Sequence, residues 1–286
     1  MITGVRNAAR CIAGGLVLSV SLAAPLARGQ DQPAAAAFDE WRLLEPAESM
    51  LAYRNSLREG VFDDAAKNFL VKTALPQLGL PKNRPMIDRV RRRMREVLCG
   101  DQGIDPKAAA AAMQVVTDFM IATARDANLD VVLRVNAMLL VGELRGPGTK
   151  PWGPAVAPLA AALGDDALPP AVRIAAAAGL ARHVEADAVA RAADVGVVPL
   201  KLLGSPLAGV DPAAADWMRC RSLDMLARMG AGAPRGTVAA AAKVLLDQSA
   251  PVDTRVRAAA AAARCIKVAA DTDVPAAVAA IRALAA

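Results

Sequence analysis

Few residues in this chain of 286 have the chemistry to act as catalysts. His183 is the sole histidine, so any histidine-dependent nucleophile must be built around it, and no G-x-S-x-G turn offers an exposed serine. Gly164, Asp165 and Asp166 set two carboxylates side by side, a pattern that can hold a metal ion. They fall between two helical stretches, where acids more often cap and brace a turn. No H-E-x-x-H, phosphate-loop or dinucleotide-loop pattern is present. Beyond residue 30 the cysteines are Cys99, Cys220 and Cys265, an odd number without C-x-x-C spacing. They read as small buried apolar residues. These patterns predict no catalytic residue, no metal site and no cofactor.

What remains is cationic. The stretch IDRVRRRMREVLCG, residues 87–100, carries Arg89, Arg91, Arg92, Arg93 and Arg95. Guanidinium groups at this density can bind phosphate, sulfate or carboxylate oxygens through paired N–H donors. The formal net charge is +6, and the first 29 residues hold Arg6, Arg10 and Arg28 with no acid, leaving +3 beyond them. Residues 82–96 hold seven basic and two acidic residues, a local +5, so the rest of that portion is −2. The basicity is one patch.

Ile87, Val90, Met94, Val97 and Leu98 recur at helical period, so the patch is the polar side of an amphipathic helix over 87–98. Arg89, Arg92, Arg93 and Glu96 fall opposite the apolar stripe, with Arg91 and Arg95 at its flanks. Arg89, Arg92 and Arg93 are the candidate contacts for an acidic polymer or an anionic membrane surface. No aromatic residue interleaves with them to stack on bases, so nucleic acid is not the expected partner. A solvated helix face is the plainest reading.

The elements that position these residues are expected to be helices. Aromatics make up only 3% of the chain and alanine is abundant, which favours closely packed helices over a strand-rich core. Residues 1–29 read as a secretory signal: Arg6 and Arg10 precede the apolar run CIAGGLVLSVSLAA, and Ala27 and Gly29 suit cleavage before Gln30. The run is short for a membrane span, so the mature chain is expected to be exported, to the periplasm or the cell exterior, and to hold no transmembrane segment. Residues 30–37 form a flexible leader and 38–104 a helical N-terminal region. There PAESMLAYRNSLREG predicts a helix ending at Gly60, and DDAAKNFLVKTALPQLGL a second, started by Asp63 and Asp64 and limited by Pro76.

After Ile104 an internal repeat emerges. Four segments align on an arginine: RVNAMLLVGEL from Arg134, RIAAAAGLARH from Arg173, RCRSLDMLARM from Arg219 and RVRAAAAAARC from Arg255. Val135, Ile174, Cys220 and Val256 share one register; Ala137, Ala176, Ser222 and Ala258 a second; Val141, Leu180, Leu226 and Ala262 a third. Each segment follows another helical stretch, and loops rich in Gly and Pro separate the units. The clearest unit is PAVAPLAAALGDDALPPAVRIAAAAGLARHV, residues 154–184.

This pattern of helix, acidic turn and V-R-x-A-A helix resembles the HEAT-repeat superfamily, in its HEAT-like bacterial variety, over about residues 105–286. The resemblance implies a right-handed α-solenoid of about four helix pairs plus a terminal helix, with the second helix of each pair on the concave side. It also implies that Arg134, Arg173, Arg219 and Arg255 form a structural ladder, each pairing with a nearby acid: Asp130, Asp166, Asp216 and Asp253. The third unit departs from the pattern through its longer loop GSPLAGVDPAAAD and Met218 before the arginine.

Nine residues after each ladder arginine come Glu143, Arg182, Arg228 and Arg264. In the family register this column can face the concave surface, where Arg182, Arg228 and Arg264 would select an acidic partner. The chain ends in DVPAAVAAIRALAA, whose stripe Val274, Val278, Ile281 and Leu284 predicts either self-association or a helix folded over the last repeat. The function expected is that of an exported, non-enzymatic scaffold for a protein partner. A polyanion- or membrane-surface-binding module using helix 87–98 is the alternative. A lyase or maturation factor, known among HEAT-like proteins that attach chromophores, is a third class and would need a reactive Cys220 or Cys265.

Overall fold

The computed structural model describes residues 47–99, 103–146, 150–187, 195–204, 209–268 and 273–285. The expected signal, the leader and the N-terminal region up to residue 46 lie outside these. Among the described residues every regular element is helical, apart from a single antiparallel bridge between Arg145 and Pro151.

In the N-terminal region α1 (Ala47–Arg58) buries Met50, Tyr53 and Leu57, spaced as one helix face requires. It ends before Gly60, whose φ of +78° suits glycine alone. The Leu57 carbonyl accepts the Asp105 N–H at 3.0 Å, tying this helix to the start of the repeats. α2 (Asp64–Asn68) starts on Asp63, whose carboxylate accepts the Ala66 N–H at 2.9 Å.

The sequence pattern predicts that this second helix runs on to Pro76. Instead it widens into a π-type stretch, Phe69–Ala74, then tightens into 3-10 stretches at Leu75–Gly79 and Pro81–Met86. Pro76, Pro81 and Pro85 have no N–H to continue an α-helical ladder, while Phe69, Leu70, Leu75 and Leu78 still reach the core. α3 (Ile87–Cys99) buries Val90, Met94, Val97 and Leu98, the stripe its period predicts.

Helix pairs follow: α4 (Pro106–Arg125) with α5 (Val131–Glu143), and α6 (Val156–Gly164) with α7 (Pro170–Ala186). Then come α8 (Val197–Gly204) with α9 (Pro212–Met229), α10 (Thr237–Leu246) with α11 (Val252–Cys265), and finally α12 (Asp273–Ala285). Asp105, Asp130 and Asp211 cap α4, α5 and α9 with their side chains, and proline occupies the first turn of α4, α7 and α9, where a missing N–H costs nothing.

The second helices pack in a row, α5 on α7, α7 on α9 and α9 on α11, and α3 packs on the free flank of α5. Two of the aligned registers are the core of that row. Ala137, Ala176, Ser222 and Ala258 are buried, as are Val141, Leu180, Leu226 and Ala262. The register of Val135, Ile174, Cys220 and Val256 lies at the edge: the first three are half-buried and Val256 is 51% exposed. Gly142 and Gly179 let α5 and α7 touch backbone to backbone, since a Cβ on Gly142 would lie 2.5 Å from the Gly179 Cα. At the end of the chain α12 lies on α10 and α11. Its innermost residues are Ala277 and Ala280; Val274, Val278 and Ile281 of the expected stripe are only half-buried, because alanine permits the closest approach.

The turns inside the pairs repeat in atomic detail. Asp126, Asp165 and Asp247 each follow a first helix and accept, through Oδ1, the N–H two residues on, at 2.9, 3.0 and 2.9 Å. Eight residues later Arg134, Arg173 and Arg255 each donate Nε–H to the carbonyl ten residues back, those of Ala124, Leu163 and Leu245, at 2.9, 3.0 and 3.0 Å. Those carbonyls belong to the last turn of the first helix, which has no intrahelical donor to satisfy it, and the cation also meets the negative end of the helix dipole.

The acid pairing expected of the ladder is therefore not its common feature. Arg173 pairs with Asp166 at 2.8 Å. Asp130 caps α5 and pairs with Arg84 at 2.6 Å, Asp216 accepts the Thr254 hydroxyl at 2.8 Å, and Asp253 pairs with Arg257 at 2.9 Å. Among the described residues Arg219 makes no equivalent bond: α8 ends at Gly204, and the residue ten back, Gly209, lies in a turn with φ +71°.

Candidate functional site

The last turns of the second helices bring one column of charge to the surface. Leu144, His183, Met229 and Cys265 are buried, and the residue before each, one step round the helix, sits at the rim of the row. Arg182, Arg228 and Arg264 are exposed there, while the Glu143 side chain is 13% exposed.

Members of the column reach back to the preceding helix. Arg182 donates Nη1–H to the Gly142 carbonyl at 2.9 Å, closing the C-terminal end of α5. Arg228 lies 3.8 Å from Glu185 of α7, with both side chains about half-exposed. Glu143 meets the basic helix: Arg91 Nε is 3.4 Å from its carboxylate and Arg95 Nη1 is 3.8 Å away. Arg91 also donates to the Asn136 side chain and to Asp88, the latter at 3.1 Å. The face thus runs from α3 through α5 and α7 to α9 as alternating arginine and glutamate, with more arginine than glutamate.

The basic patch is accordingly divided. Arg91 and Arg95, expected only to flank the helix, bind it to α5. Arg93 was expected at the surface but is 16% exposed and pairs with Glu96 at 3.2 Å. A helix with a neighbour on two sides has a narrower wet face than its period alone suggests. Arg89 and Arg92 are exposed.

Where α3, α5 and α7 meet, a cleft of about 380 Å³ opens, lined by Arg95, Glu143, Arg145, Arg182 and Glu185 with Pro151 at its edge. It joins Arg182 of the column to Arg95 of the basic helix. A second cavity, of about 510 Å³, lies between α1 and α2 beside Tyr53, Asp63 and Lys72. It holds none of the predicted site residues.

The groups with catalytic potential lie elsewhere. His183 is 2% exposed, within the core column of the second helices. Cys265 is fully buried, donates to the Leu226 carbonyl at 3.2 Å, and burial pushes its thiol up to about 11. Cys220 is half-buried, and burial raises its thiol as well. The Thr254 hydroxyl spends its one proton on Asp216, so at 3.2 Å the Cys220 S–H donates to Thr254. Asp165 and Asp166 brace the turn through Ala167 and Arg173. Among the described residues no group of three or more His, Cys, Asp or Glu side chains is placed to hold a metal ion, and no helix is long and apolar enough to cross a membrane.

Sequence reading missed the pairing of Glu143 with α3 and the place of Arg145 and Glu185 beside Arg182. Arg145 and Glu185 fall two and three residues beyond Glu143 and Arg182, so extending the column past the helix ends would have found them. Comparison of the chain with known protein families, curated proteins and solved structures gives no match.

Proposed function

We propose that this chain is an exported, non-enzymatic scaffold whose repeats form a HEAT-like solenoid and bind an acidic protein partner along the charged rim. The recurrence of one turn, with the same carboxylate cap and the same arginine-to-carbonyl bond in three helix pairs, is the observation that carries the solenoid reading. A row of second helices, each packed on the next, is how such pairs bury faces that none could bury alone. The excess of arginine at the rim, in Arg182, Arg228 and Arg264, supports an acidic partner.

A photo-reactive residue at position 228 tests this. It is expected to capture a discrete protein in the native compartment, whereas the same residue at exposed position 243 on α10 captures none. The adduct should vanish when Arg182 and Arg264 are both replaced by Glu in the protein that carries the probe. Equal capture from both positions, or capture that survives the double replacement, sinks the reading.

The exposure of Arg89 and Arg92 keeps one second reading, contact with an acidic polymer or an anionic membrane surface. It has fewer cations to work with than the sequence suggests, since Arg91 and Arg95 are held by Glu143. The lyase or maturation-factor reading draws no support from thiols whose protonated form is favoured by burial.

A further inference from the structure

We propose that the outer flank of α11 is a self-association surface, on which a second copy of this chain docks its own α11, antiparallel, about a two-fold axis. The inference goes beyond the acidic-partner reading and stands without it, since Arg182 and Arg228 stay at the rim.

One register followed along the row identifies the flank. Gly142 touches Gly179, so each second helix meets the next through the side that holds the eighth residue after its aligned arginine. On α5, α7 and α9 that side is covered: Gly142 and Ala227 are buried and Ala181 is half-buried. The residues one and five after the arginine are also half-buried on those three helices. On α11 the same side is open. Ala263 is exposed, as are Val256 and Ala260, and Val252 is 68% exposed. These four lie on one helical stripe, and α12, which packs on α10 and α11, leaves it uncovered. Two exposed valines in an alanine-rich helix cost helix propensity and gain nothing locally, which contact with an apolar surface would offset.

The occupant follows from the two ends of the row and from the charges beside the stripe. The opposite end is closed, because α3 packs on the flank of α5. A head-to-tail contact therefore has no receiving face, whereas a two-fold contact of α11 with itself needs none. Asp253 and Arg264 border the stripe and are exposed. Eleven residues separate them, three turns plus about 20°, so both lie on the same side of the helix. In an antiparallel pair like flanks face each other, so each Asp253 meets the Arg264 of the copy. A parallel pair would oppose arginine to arginine and aspartate to aspartate, which repulsion disfavours. Asp253 can be shared, since its present partner Arg257 is also held by Asp224. The same axis sets Val252 against the copy's Ala263 and Val256 against its Ala260, large side chain against small. One 14-residue helix on its copy falls short of the roughly 1,200–2,000 Å² that a stable interface buries, so the dimer is expected to be reversible at micromolar concentration.

Sedimentation equilibrium of the full chain across micromolar concentrations tests this. A monomer–dimer equilibrium is expected, with no larger species. Val256→Glu puts like charges near the axis and should weaken the dimer at least tenfold. Val197→Glu, at another exposed valine on α8, should leave it unchanged. Asp253→Arg and Arg264→Asp should each weaken the dimer, and the two together should restore it. Both swaps oppose the helix dipole, so the double variant is expected to have the lowest Tm and still regain the dimer, which lost stability alone could not produce.

A monomer at every concentration, species that grow past the dimer, a dimer that survives Val256→Glu or is lost in Val197→Glu, or a double variant no better than either single one would each overturn the assignment. A monomeric chain that still captures a protein at position 228 removes this surface and leaves the scaffold. A dimer with no captured protein does the reverse.

Discussion

At the scale of single residues, the ladder arginines do more for the turn than for any partner. Arg173 is 5% exposed, donates to the Leu163 carbonyl and pairs with Asp166. Arg173→Leu leaves a helix-end carbonyl without its charged donor, while the Asp166 carboxylate, 80% exposed, is taken up by water, so a loss of about 1.5–3 kcal/mol is expected. Arg219→Leu lacks that geometry and is expected to cost under about 1 kcal/mol, so urea midpoints at equal m-value distinguish the two. Equal losses would show that the helix-end bond contributes little.

The thiols give a second residue-scale prediction. A Cys265 pKa of about 11 against an ordinary 9.0 lowers the thiolate fraction at pH 8 about a hundredfold, so native Cys265 should alkylate at least that much more slowly than in urea. The sign for stability follows. The folded chain holds the proton that the unfolded chain gives up, so this contribution is intact below pH 9 and is lost as pH rises through about 11. Asp247 works the opposite way: its bonds to Ser249 lower its pKa, so its support of the turn is present above the ordinary carboxylate range and lost in acid.

At the scale of elements, close packing of α5 on α7 depends on a pair of glycines. A Cβ at Gly142 would sit 2.5 Å from the Gly179 Cα, and backbone cannot swing aside as a side chain does. Gly142→Ala should therefore cost roughly 1–3 kcal/mol or more. Gly164→Ala, where the new Cβ meets Val198 Cγ1 at 3.9 Å, should be neutral or gain up to about 1 kcal/mol from helix propensity. If both shift the melting midpoint alike, the close contact is not where the structure puts it. The helices themselves were legible because the buried registers recur at 3.6-residue period, and Ala137, Val141 and their counterparts lie where that period puts them. The 69–86 stretch was not, because its apolar spacing continues through π and 3-10 turns; only Pro76, Pro81 and Pro85 marked the change. The capping acids were misassigned for a related reason. Several aspartates lie near each turn, and Asp126, Asp165 and Asp247 stand out only when spacing from the arginine is held fixed. Half of the candidate site was visible as the column of Arg182, Arg228 and Arg264, but Glu143 with Arg91 and Arg95 joins residues far apart in sequence, for which no local pattern exists.

At the scale of the whole molecule, the row of second helices needs an end, and α3 supplies one. Its Val90 face buries the apolar flank while Arg91 and Arg95 bind Glu143 and Arg91 bonds Asn136, so a polar joint surrounds an apolar contact. Stability in such an array is a sum of nearest-neighbour terms, so damage at one joint should loosen its neighbours first. Glu143→Gln removes the one carboxylate shared by Arg91 and Arg95, while Arg91 keeps Asp88 and Asn136, so a loss of about 1 kcal/mol is expected. Hydrogen exchange should quicken first in α3 and at the end of α5, with α11 protected as before. High salt should reproduce little of this, because screening acts weakly on a pair so far withdrawn from solvent. Equal quickening in α11 would mean that the chain opens as one unit, and the row of helices would then be a single cooperative core instead of a series of coupled pairs.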